Sequence, residues 1–209
     1  MRAGAEFDAA LYELMSDGWT AFHGALAEPW LVRPAIPVLY FGDLKQYLAS
    51  EVRVITVGLN PSVHEFPAAS PFQRFPAAAT LNPLQPGWEQ VHQQALDGYF
   101  QADPLLWFGS WEPVLTGLDA SYWSGAKNVA LHTDLCSPLA TNPTWSDLDV
   151  MAKTVLEPTG HRLWRRLAAL LAPHVLLVSI AASYLRQIHP LPLAEWSICH
   201  PSPGRPGAH

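Results

Sequence analysis

The chain has 209 residues, is 49% apolar and carries a formal charge of −6, enough length and apolar content for one domain with a sizeable core. Its lysines are Lys45, Lys127 and Lys153, a charge balance that excludes broad non-specific nucleic-acid binding but leaves room for a local basic patch such as Arg162, Arg165 and Arg166. No run of about 18 apolar residues is present and the first residues lead into an amphipathic segment, so a membrane span is not expected and a cytoplasmic location is.

Glu6 to Leu26 is predicted to be a helix, with Phe7, Leu11, Leu14, Met15, Phe22 and Leu26 at near three- and four-residue spacing. Pro29, Pro34 and Pro37 then impose an extended connection. Asp43 to Ala49 suits a short helix. The apolar run Val52 to Val57 reads as a buried strand centred on Arg53 to Val57. A loop of about thirty residues follows, rich in Pro, Ala and Phe; loops of that length in compact domains are usually functional. Trp88 to Tyr99 and Ser110 to Leu118 are predicted helices, the second with Ser110 as N-cap and Pro113 in its first turn.

Lys127 to Leu131 reads as a second strand, running into His132-Thr133-Asp134-Leu135 and then a proline-broken loop to Asp147. His161 to Ala172 is predicted as an amphipathic helix with Leu163, Trp164, Leu167, Leu170 and Leu171 inward. Val175 to Ile180 is a third strand, Ala181 to Ile188 a helix that follows at once, and Glu195 to Cys199 a fourth strand. Strands alternating with helices imply parallel pairing with helices on both faces. The expected fold is therefore α/β: a three-layer α/β/α sandwich with a central four-stranded parallel sheet, in one domain over residues 1–209.

Two cysteines, Cys136 and Cys199, are too few for a four-cysteine metal or cluster site and read as buried free thiols. No metal or cofactor is expected.

Two short loops carry the chemistry. Gly58-Leu59-Asn60-Pro61-Ser62 leaves the carboxyl end of the first strand, and His200-Pro201-Ser202-Pro203 leaves the last. In an open α/β sheet that edge is where ligands bind. Each loop sets a polar side chain, Asn60 or His200, beside a proline that stiffens the backbone.

These two loops, in this order and on these elements, resemble the two motifs of the uracil-DNA glycosylase superfamily over roughly residues 50 to 203. The resemblance implies a monofunctional hydrolase that cleaves the N-glycosidic bond of a flipped, damaged base, uracil or another deaminated base. Its partner would be DNA, single-stranded or mismatched, and the protein a monomer. By the same resemblance Asn60 positions the attacking water, as in the mismatch-specific and single-strand-selective branches. An amide is not a general base at ordinary pH, so Asn60 only orients the water. His200 donates to the base as negative charge develops on it. Gly58 and Leu59 line the base pocket, and Phe72, twelve residues after Asn60, is the aromatic floor, with Phe75 as fallback. Pro61, Ser62, Pro201, Ser202 and Arg205 form the phosphate-holding loops.

The sequence departs from the family at two points. Where members carry a base-reading Asn after the middle strand, this chain has His132 or Thr133, so the base is left open. Where many carry a wedging leucine after the second motif, Gly204 and Arg205 follow Pro203. Both favour the alternative reading, a non-catalytic module that holds a base or nucleotide in the same pocket. A hydrolase built on Ser62 lacks the Gly-x-Ser-x-Gly elbow. A metal site at His64 and Glu65 fails because adjacent residues do not share a helix face.

Overall fold

The computed structural model describes residues 2–188. The first helix, α1 (Arg2–Gly24), forms as its spacing predicts: Leu11, Leu14, Met15 and Phe22 are buried on one side. It ends before Leu26, which is 42% exposed and not part of the inner face. Helix α2 (Leu44–Ala49) starts where Asp43 accepts from the Gln46 backbone N–H, a side-chain N-cap.

Strand β1 (Val54–Gly58) is the centre of the sheet. Its Val54, Ile55 and Val57 are buried on both faces, as expected of a strand covered on both sides. Helices α3 (Trp88–Asp97) and α4 (Glu112–Thr116) follow the long loop. The loop is not structureless, for it holds single 3-10 turns at Val63–Glu65 and Pro76–Thr80. Ser110 does not cap α4; its hydroxyl donates to the Trp107 carbonyl inside a preceding 3-10 segment, while Pro113 does sit in the first turn.

The stretch predicted as one strand divides. Asn128–Val129 (β3) pairs in parallel with Ala120–Ser121 (β2), forming a separate two-stranded ribbon. Leu131–Asp134 (β4) joins β1 instead. Helix α5 (Val150–Leu171) begins eleven residues before the predicted start and contains Pro158. Asp149 caps its first turn, and Ala152 and Leu156 are buried one and two turns further on. That burial offsets the roughly 3 kcal/mol an internal proline costs a helix. Strand β5 (Val175–Val178) returns to the other side of β1, and α6 (Ala182–Ile188) follows.

The sheet therefore has three described strands, all parallel, in the order β4-β1-β5. The fourth strand expected at Glu195 to Cys199 lies outside the described residues. Apolar side chains from Leu11 to Ile188 form one continuous core. Cys136 is a buried free thiol, and burial pushes its ionisation well above the usual range. Among the described residues no helix is long and apolar enough to cross a membrane.

Candidate functional site

The carboxyl ends of β1, β4 and β5 lie at one edge, with Gly58 in register opposite Asp134. Between them opens a cleft of about 380 Å³, lined by Gly58 to Ser62, by Glu65, by His132 and Asp134, by Ser179 after β5, and by the rings of Phe41, Trp107 and Phe108. That volume is within the roughly 300–1,000 Å³ typical of small-molecule sites.

The loop after β1 is held by the loop after β4. The Leu59 carbonyl accepts from the backbone N–H of Cys136 (2.8 Å) and of Ser137 (3.3 Å). Pro61 accepts from Thr141 N–H at 3.2 Å, and Thr141 accepts from Val63 N–H at 3.0 Å. Within this frame Asn60 has one orientation. Its Nδ2 donates to Leu139 O (3.3 Å) and Thr141 Oγ1 (2.9 Å). Leu139 O only accepts, and Thr141 gives its own hydrogen to Pro143 O at 2.9 Å. Both partners thus demand the amide's N–H groups. Oδ1 is left without a partner among the described residues, on a side chain that lines the cleft.

His132 and Thr133 point opposite ways, as strand alternation requires. Thr133 accepts from Trp164 Nε1 at 3.0 Å, on the α5 side, and does not line the cleft. His132 does. Its Nδ1 lies 2.7 Å from Thr56 Oγ1, which also bonds the buried Tyr122 hydroxyl, and its Nε2 lies 3.5 Å from Asp134 Oδ1. One proton arrangement satisfies every group: Tyr122 donates to Thr56, Thr56 donates to His132 Nδ1, and Nε2–H faces Asp134. Burial raises the Tyr122 pKa well above the usual phenol range, which keeps that donor protonated. Thr56→Val keeps the shape but leaves His132 Nδ1 and the Tyr122 hydroxyl unpaired. It is expected to lower stability by roughly 1–3 kcal/mol per orphaned group. Urea denaturation measures this; an unchanged midpoint would show that the relay is not formed.

Gly58 is needed at the base of the cleft. A Cβ there would sit 2.6 Å from Asp134 Oδ1 and 3.0 Å from His132 Nε2. The aromatic wall is Phe41, Trp107 and Phe108, whose rings surround His132 at centroid distances of 5.5, 5.3 and 5.1 Å. Phe72 is partly buried against the core and does not line the cleft, and Phe75 is fully buried against Phe41, Phe66 and Tyr99. Ser62 does line the cleft, but its hydroxyl accepts from the His64 N–H as cap of the following turn. Pro61 is buried in the same loop. Of the basic patch, Arg166 pairs with Asp17 and Glu13 of α1, and Arg165 reaches Gln187. His200, Pro201, Ser202 and Arg205 lie outside the described residues, as does Cys199.

No family model, curated protein or solved structure matches the chain. The site is therefore read from its own geometry. Among the described residues no three His, Cys, Asp or Glu side chains converge as a metal ligand set.

One residue of the cleft carries no motif signal. Glu65 is turned inward by the short turn that Ser62 caps, and Tyr99 donates to its Oε2 at 2.7 Å. Burial raises its pKa from the ordinary 4.5 to about 8, with Asp134 adding to the rise and Tyr99 and Arg74 opposing it.

This has a consequence for stability. Between pH 4.5 and about 8 the native state holds a proton on Glu65 that the unfolded chain lacks, so stability falls as pH rises through that window. Asp97, raised by burial to about 6, acts in the same direction but is finished by then. His92, lowered by burial from 6.5 to about 4, acts oppositely, losing stability as pH falls. Above pH 6.5 Glu65 is the one of these three still changing. Stability is expected to drop between pH 6.5 and 8, and Glu65→Gln to flatten that drop; urea midpoints across the window check it.

Proposed function

We propose that the protein is a base-excision glycosylase: a cytoplasmic, monomeric hydrolase that cleaves the N-glycosidic bond of a damaged base held in the cleft at the carboxyl edge of the sheet. The reading extends to the fold, with a fourth parallel strand at Glu195–Cys199 completing a three-layer sandwich and delivering His200 to the same cleft. The observation that carries it is the fixed orientation of Asn60. With both amide hydrogens committed, Oδ1 is an acceptor on a rigid loop, suited to hold a water by its hydrogen and aim a lone pair at a sugar carbon. The exposed Trp107 ring, which lines the same cleft, offers a stacking face to a flipped base. Glycosyl bonds need no covalent intermediate here, because a leaving base stabilised by a donor such as His200 departs ahead of water attack.

The test is incubation with oligonucleotides carrying a single uracil, hypoxanthine, xanthine or mismatched base. Alkali-labile strand breaks that vanish in Asn60→Ala and His200→Ala are expected. Tight binding with no cleavage of any base would instead establish the non-catalytic module. That second reading is favoured by one observation: His132, at the base-reading position, has its ring nitrogens turned to Thr56 and Asp134.

A further inference from the structure

The cleft combines aromatic faces with acceptors, and among the described residues no lysine or arginine lines it. Glu65 is 4% exposed; Tyr99 serves Oε2, while Oε1 has no partner among the described residues. The Asp134 carboxyl is also buried, with His132 near Oδ1 and no hydrogen bond at Oδ2 among the described residues. Asn60 adds a third acceptor atom. Arg74, the cation that acts on Glu65, is itself engaged by Asp103 at 3.7 Å. An ionised carboxyl buried without a close cation is destabilised, and among the described residues neither of these has one, so a cationic occupant would be favoured beside them. The Trp107 ring, half exposed at the cleft with Phe41 and Phe108 buried behind it, favours the same kind of occupant, because a ring quadrupole attracts positive charge. Uracil leaves as an anion, which gains nothing from acceptors such as Asn60 Oδ1. A base that is cationic before the bond breaks and neutral afterwards suits them.

We propose that the cleft takes an N-alkylated, positively charged purine, with Glu65 as its counter-charge and Trp107 as a stacking face; this deepens the base-excision reading by naming the base, and rests on it for the bond cleavage alone. Glu65 faces Tyr99, Asp134 and Arg74, and shares the cleft with His132 and His64. At neutral pH it is protonated, since burial raises it to about 8. A bound cation favours its ionised form, so binding releases one proton to solvent. On cleavage the C1′–N electron pair passes to the base and cancels its charge. Water held by Asn60 adds to C1′, and its proton passes to the Glu65 carboxylate.

Titration calorimetry with 7-methylguanosine and guanosine, in two buffers of different ionisation enthalpy at mildly acidic pH, where the methylated nucleoside is a cation and Glu65 still holds its proton, tests this. The methylated nucleoside is expected to bind about thirtyfold more tightly, the scale of one buried charge pair, and to release close to one proton. Glu65→Gln, which keeps an acceptor for Tyr99, should abolish the preference and the proton release. Trp107→Ala, at a ring that is 49% exposed and so removable without unfolding, should weaken binding of the cation. Equal affinity for the two nucleosides, or a preference that survives Glu65→Gln, overturns the inference. Oligonucleotides carrying 7-methylguanine or uracil separate it from the wider reading. Excision of uracil alone overturns the inference and leaves base excision standing. Cation-selective binding without excision of either base overturns base excision and leaves the inference standing.

Discussion

Gly160→Ala is expected to lower the unfolding free energy by about 3 kcal/mol or more, the upper range for overpacking a close contact. Helix propensity alone argues the other way, since alanine is preferred to glycine inside a helix by about 1 kcal/mol. Sterics win because of what faces Gly160. A Cβ there would lie 1.8 Å from Cys136 O, 2.2 Å from Cys136 C and 2.7 Å from Ser137 N. All three are backbone atoms, and the Cys136 and Ser137 N–H groups are tied to Leu59 O. The loop has no slack, so α5 would have to move. That helix carries Trp164, which bonds Thr133 in β4, and the displaced loop carries the Leu139 and Thr141 partners of Asn60. The damage should reach the cleft as well as the fold. Urea unfolding measures the loss; a variant as stable as the parent would mean that helix and loop do not meet this closely.

Asn60→Ala should reduce base excision by roughly 10²-fold or more, the scale of losing one positioned group, with a smaller loss of stability than Asn60→Asp, because the shortened side chain lets water reach Leu139 O and Thr141 Oγ1. Asn60→Asp is the sharper test, because a carboxylate at this position is the stronger water-activating group in the abstract. Here it should fail. A carboxylate oxygen would face Leu139 O and a Thr141 hydroxyl whose hydrogen is already given to Pro143, so acceptors would meet acceptors. Leaving those groups unpaired costs about 1–3 kcal/mol each. The penalty should fade at acidic pH, where the introduced carboxyl is protonated and regains a hydrogen to donate. Melting temperatures of Asn60→Asp across pH, compared with the parent, read this directly. A variant that is stable at neutral pH and more active than the parent would show that the amide orientation is not fixed.

Much of the fold was legible because its signals are local. The periodic apolar residues of α1 and the apolar runs of β1 and β5 announce themselves within a few residues. The first half of α5 was hidden behind Pro158, whose usual effect is to end a helix, and only its burial against the core outweighs that. Strand β4 was misplaced by a few residues because His132, Thr133 and Asp134 look like a polar loop. They are buried strand residues, and His132 and Thr133 are satisfied by Thr56 and Trp164, partners 76 and 31 positions away. The residues of the first motif, Gly58 to Ser62, do line the cleft. Its aromatic wall was not found by spacing: the long-loop phenylalanines pack inward, and the rings come from Phe41, Trp107 and Phe108, in segments that carry no motif. Glu65 was visible only as a neighbour of His64. Nothing near it in the chain says that it is buried, since Tyr99 is 34 positions on.

The strand order has a consequence for how the chain is made. The central strand, Val54–Gly58, has its two neighbours at Leu131–Asp134 and Val175–Val178 and none nearer in sequence. As the chain leaves the ribosome, an apolar strand with two open edges must wait for more than seventy further residues before it has any partner, and for about 120 before the described sheet is complete. During that interval it is a sticky segment, open to pairing with other nascent chains. Truncations ending before residue 178 should therefore aggregate rather than form a smaller folded unit, and a chaperone holding the first half of the chain would be expected to bind at 54–58.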